Sequence, residues 1–392
     1  MKSNGLSQSW SIHLDYIGQD IAFDSNNCIY VVGYDYSPNN SIKFMKYNSS
    51  GVELWNKELE GFSSNNPMIK IDLNNNLYLA GYYRNQTLDW NAAIFKFNSS
   101  GDLQWQKIYE DDNVSSILDI AIDSEDHIYV YGSLLSHNLF LMKYNKSGSL
   151  LWFHEFGEIG IGNYGLSILI DSDKNIIISG SSYHGSTYWL RSYNISRELQ
   201  WSITRDSESF PLLGLDSSDN VISIALNYIN YDRQLDLVKY DNSGNSVWNY
   251  TLESRFLDLL WQPIPTPMKY QFDLTLDSSD NIYIGWDIEI PNDLYTTDIL
   301  LIKINNSGSF EWFLIWGDSN YDQLIKIGID SNNNIYLLSD HYLIKNPISN
   351  SKSLYRTNLW NFYFILFGIC CFASLISLYF IIKSRIRKSS NK

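Results

Sequence analysis

Short apolar runs rich in Ile, Leu, Tyr and Val alternate along this chain with clusters of Asn, Ser, Asp and Gly. That alternation predicts strands joined by tight turns, because Asn, Asp and Gly are the residues that tight turns require. The runs recur in a fixed order. Seven segments carry an Asp, a polar turn, an apolar strand that usually holds Tyr, and then a small residue. They begin at Asp24 (DSNNCIYVVG), Asp72 (DLNNNLYLAG), Asp123 (DSEDHIYVYG), Asp171 (DSDKNIIISG), Asp216 (DSSDNVISIA), Asp277 (DSSDNIYIGW) and Asp330 (DSNNNIYLLS).

After each of the first six comes a second strand with a basic residue near its end, a polar turn and a strand with Trp, as in KYNSSGVELW, KFNSSGDLQW and KINNSGSFEW. Each repeat is therefore four short strands, which is one blade of a β-propeller. The seventh repeat stops before its Trp strand, whereas the chain opens with an unattached one, QSWSIHL. If that opening strand completes the last blade, the ring closes with no open sheet edge. The sequence thus predicts an all-β, seven-bladed propeller over residues 1–346. Its repeat anchors are Trp10, Trp55, Trp105, Trp152, Trp201, Trp248 and Trp312, one per blade, in packing roles.

Units such as DSSDNIYIG followed by KINNSGSFEW resemble the SBBP-type propeller repeats of bacterial and archaeal surface proteins. The resemblance covers about residues 8–346 and implies architecture more than activity, since that repeat is carried by proteins of many roles.

Residues 359–382 form an uncharged, apolar run of 24 residues. As a helix it would reach about 36 Å, enough to cross a hydrocarbon core of about 30 Å. We expect a single transmembrane helix there, preceded by a linker at 347–358 and followed by a basic tail at 383–392. The tail charges Lys383, Arg385, Arg387, Lys388 and Lys392 place the tail in the cytoplasm and the propeller outside. The opening residues MKSNGLSQS have no apolar core of the signal-peptide kind, so either the start lies upstream or the propeller stays in the cytosol and the helix is a tail anchor.

Charge narrows the partners. Of the 28 basic residues eight lie after Asp340, while all 43 acidic residues lie at or before it, so residues 1–340 carry a formal charge of −23. Such a surface repels phosphate backbones, and no nucleic-acid partner is expected. The three cysteines, Cys28, Cys370 and Cys371, make no disulfide framework and no zinc spacing.

Strand order puts the Asp turn and the Asn-Ser-Gly turn of every blade on one rim, with near-constant lengths, and the connections of varying length on the other. Loops that vary on a rigid scaffold are where recognition usually sits, so the variable rim is the expected binding face and the constant rim is expected nearer the membrane. The longest connection, between Trp248 and Asp277, contains Trp261, Pro263, Pro265 and Tyr270. These are the candidate binding residues, either as an exposed anchor for a partner or, with Phe256, Leu257 and Leu260, as a plug over the channel.

Chemistry is harder to find. The Asp turns lack the Gly at the sixth position and the Glu at the twelfth that a calcium loop needs, and the six His share no repeat position and show no metal-ligand spacing. No metal, cofactor or catalytic residue is expected. The leading function is a non-catalytic binding, adhesion or scaffolding module for a protein or glycan. An enzyme with a site in the channel, quinoprotein-like or polysaccharide-cleaving, is the alternative from another class.

Overall fold

Antiparallel pairing joins the strands into seven sheets, five of them built entirely from consecutive strands. The structure is a computed structural model. It describes residues 9–347 apart from 36–40, 61–66, 85–89, 110–113, 137, 157–163, 182–186, 207–210, 230–231, 253–271, 290–296 and 318–322, and it also describes 353–355. The expected transmembrane helix at 359–382 lies outside the described residues. Among those described, no helix is long and apolar enough to cross a membrane.

The seventh sheet carries the expected closure. Its inner strands are Leu324–Ile329, Ile335–Ser339 and Tyr342–Lys345, and its outer strand is Trp10–His13 from the other end of the chain. Trp10 pairs with Lys345, just as Trp55 pairs with Lys46 and Trp105 with Lys96 inside blades one and two. The register of the borrowed strand is thus that of a contiguous blade.

Packing explains why one sheet does not suffice. Among the described residues there are seven apolar clusters, and each joins two neighbouring blades; one packs Leu79 and Phe95 of blade two on Val32 and Phe44 of blade one. A blade has no core of its own. Burial at the seams, worth about 25 cal/mol per Å² of apolar surface, holds the ring.

The repeated side chains stitch these seams. The indole N–H of Trp55 and the ammonium of Lys46 both donate to the Ser99 carbonyl in the next blade, at 3.2 and 3.4 Å. Trp105 and Lys96 do the same to Lys146, at 3.2 and 3.1 Å. Trp10 and Lys345 converge likewise on Ser49, at 3.4 and 2.8 Å, so both chain ends meet at one carbonyl of blade one. The Trp rings also lie against the turn glycines: an added Cβ at Gly51, whose φ is +83°, would sit 3.0 Å from the Trp10 ring.

One strand was not expected. Ser353–Tyr355 adds a fifth strand to blade six, with Ser353 opposite Ile315 and Tyr355 opposite Phe313. It falls within the segment read as a linker.

Candidate functional site

The inner strands of all seven blades line a central cavity of about 370 Å³, a size within the range of small-molecule pockets. The residue four positions before each turn Asp faces this ring: Asp20, Met68, Asp119, Ser167, Leu212, Asp273 and Lys326, all in the cavity lining together with Lys70. In blades one, three, four and seven the pairing slips by one residue here, between Gly18 and Asp20, Ile117 and Asp119, Gly165 and Ser167, and Leu324 and Lys326. Bulges of this kind re-aim side chains, and the extra residues Gln19, Leu118, Leu166 and Ile325 all line the cavity.

Three carboxylates and two ammonium groups therefore meet in the channel, and each carboxylate is committed to the neighbouring blade. Asp20 accepts from the Ile69 amide at 2.8 Å, Asp119 from the Ile168 amide at 3.0 Å and Asp273 from the Ile327 amide at 2.8 Å. Lys326 bonds Asp273 at 3.3 Å, and Lys70 lies 4.0 Å from Asp119. Burial pushes the Asp20 carboxyl up, with Lys326 and Lys70 pulling the other way. Asp273 foremost, then Asp20 and Asp119, hold the Lys326 ammonium well above its usual range against the cost of its partial desolvation. Lys326 is consequently a fixed cation at neutral pH, not a nucleophile or a general base. The arrangement ties inner strands together and offers a polar, cross-linked channel floor.

Around the constant rim the turn Asp side chains form a second repeated constellation. In blade one, Asp24 accepts from the amides of Asn26 and Cys28, each at 2.9 Å, from the Tyr30 hydroxyl at 3.2 Å, and pairs with Lys46 at 3.0 Å. Burial pushes this carboxyl up, but the Lys46 and amide hydrogen bonds outweigh it and leave the group below its ordinary value. Blade four breaks the rule: Ile177 and Ser192 stand where the Tyr and Lys would be, and burial leaves Asp171 raised. The turns are linked round the rim, as where Ser217 donates through its amide and hydroxyl to Asp280, at 2.8 and 2.7 Å.

In blade three His127 occupies the place that Asn holds in five other Asp turns, and its Nδ1 lies 3.1 Å from Asp123 and 3.5 Å from Glu125. These three side chains come close enough to share a cation. Asp123, however, is already paired with Lys143 at 3.1 Å and Glu125 with Lys174 at 2.5 Å, which accounts for the cluster as ion pairing.

Of the residues singled out from sequence, the seven Trp each lie on the strand that pairs with the third strand of its blade. Trp261, Pro263, Pro265 and Tyr270 lie outside the described residues. The channel charges were missed, although a charged residue four positions before the turn Asp in an otherwise apolar strand was a readable signal.

Asp287 is a further, partly buried acid, on the second strand of blade six, accepting from the Leu324 amide of blade seven at 2.6 Å. Burial, together with nearby Asp340 and against the Leu324 bond, pushes it up to about 8. The folded protein thus holds a proton that the unfolded chain releases, and stability falls as pH rises from the ordinary Asp value towards 8. Asp287→Asn keeps the acceptor without the charge. It should match the parent near pH 4 and exceed it by about 3–5 kcal/mol at pH 9, read as denaturant midpoints across that range.

Comparison with known proteins agrees with the geometry. The Dos1 propeller superposes with a TM-score of 0.51 over 86% of this chain and 94% of its own, at 11% identity. The fold is a seven-bladed propeller. Over 145 residues, 35% of the chain, it is also 31% identical to an uncharacterized WD repeat-containing protein of Acanthamoeba polyphaga mimivirus. The match spans 8% of that relative's length. No family model matches the chain.

Proposed function

We propose that the chain is a non-catalytic binding and scaffolding propeller, held at a membrane through residues 359–382, that presents its variable rim to a protein or glycan partner. The observation that carries this reading is the closed ring itself. Its charged channel residues are bound to one another and to backbone amides of the next blade, so the scaffold is rigid while connections of unequal length gather on one rim. The distant WD-repeat relative supports a platform for protein partners, and the SBBP-like repeat wording supports a cell-surface setting with the basic tail inside.

Photo-crosslinking from the 253–271 connection in intact cells tests the binding face. A partner captured there and lost when that connection is replaced by a short Gly-Ser loop supports the reading; the same partner bound equally after all variable connections are replaced overturns it. Protease added to intact cells tests the side: digestion of the propeller supports an outward orientation, and full protection moves it to the cytosol.

A further inference from the structure

The outer strands of blades one to five each begin with exposed apolar side chains just after the Asn-Ser-Gly-type turn. They are Val52 and Leu54, Leu103, Leu150 and Leu151, Leu199, and Val247, all 48–58% exposed. Ile195 in the turn of blade four and Leu73 in the Asp turn of blade two extend the same rim. In each of these five strands the register slips beside the turn, as between Lys46 and Tyr47 or Lys239 and Tyr240, which leaves an extra residue outside the pairing. Polar residues serve there equally well, as Gln104 and Gln200 show at the slipped position. Single exposed apolar residues need no explanation, but a collar of them round one rim is a surface feature with a use.

The chain itself leads to that rim. The strand Ser353–Tyr355 runs antiparallel to the outer strand of blade six, and therefore heads from the variable rim back towards the turns. The apolar run at 359–382 starts four residues after Tyr355, a reach of at most about 14 Å. A tether that short holds the turn rim against whatever receives the apolar run.

We propose that the turn rim is a lipid-docking surface, its apolar collar resting in the interfacial layer of the bilayer that anchors residues 359–382. The inference rests on the anchor reading above. Exposed Glu53, Asp102 and Glu198 beside the collar outweigh the exposed Lys146 and Arg197 of the same turns and oppose an anionic surface, so the lipid it fits is zwitterionic.

The test uses the full chain in phosphatidylcholine nanodiscs, with a fluorescent amino acid replacing Leu103, Leu199 or, on the variable rim, Leu135. Nitroxide-labelled lipids should quench positions 103 and 199 at least about twofold more than position 135, since only side chains near the acyl boundary meet the quencher. Equal quenching at all three positions in a chain retained by the discs overturns the docking alone. A chain that the discs do not retain overturns the anchor and the docking with it.

Discussion

Deleting residues 1–13 should cost the protein its cooperative folding. The deletion removes the outer strand of blade seven, the bond from Trp10 to Ser49 and the ring that lies on Gly51. It also strips Ile12 and Trp10 from the cluster that joins blades seven and one, and it bares the edge of Tyr342–Lys345. An unpaired edge of that kind templates aggregation. We expect a loss of about 5 kcal/mol or more, a large part of the stability of an ordinary domain, together with increased light scattering. A peptide spanning residues 9–14, added in excess, should recover part of the transition. An unchanged denaturant midpoint would remove the closure from the account of stability.

Asp24→Ala and Asp171→Ala should differ sharply although both remove the same turn residue. In blade one the change strands a buried ammonium: the Lys46 side chain is 10% exposed and loses its carboxylate, and the amides of Asn26 and Cys28 lose their acceptor. Breaking a buried pair from one side costs about 3–5 kcal/mol. In blade four no lysine is stranded, so the loss should be about 1–2 kcal/mol, the cost of the unmade hydrogen bonds from Asn175. Acid should reveal the same contrast. Asp24, Asp123, Asp216 and Asp277 are lowered in the fold, so their contribution is complete above the ordinary Asp value and disappears as pH falls through the lower folded values. The raised Asp171 contributes with the opposite sign. Equal midpoints for the two variants at pH 7 would show that the Tyr and Lys partners add nothing.

The blade plan was legible because the same side chain does the same job in most blades. Asp caps each turn, Tyr and Lys both reach that Asp in blades one, two and three, and Trp reaches the next blade, as Trp55 reaches Ser99, so chemistry and period coincide. Closure was legible for the same reason, as a missing Trp strand at one end and a spare one at the other. The channel followed a weaker rule. Asp, Met, Ser, Leu and Lys all occupy the position before the turn, since the cavity tolerates any side chain that its neighbours can neutralise or bury. Pairing across blades decides which appear, and pairing between strands of different repeats has no signature in a single repeat. The strand at Ser353–Tyr355 was hidden differently: three residues are too few to show alternation. His127 looked isolated in sequence because its partners Asp123 and Glu125 belong to a turn whose fold brings them together.

Zipping the opening strand onto the last blade also sets a timetable for biosynthesis. Trp10–His13 is made before its partner Tyr342–Lys345, and six further sheets are made between the two. At about 5–20 residues per second that wait lasts about 20–60 s. Throughout it the nascent circle is a broken one with two raw seams, a state in which holding chaperones would find their longest opportunity.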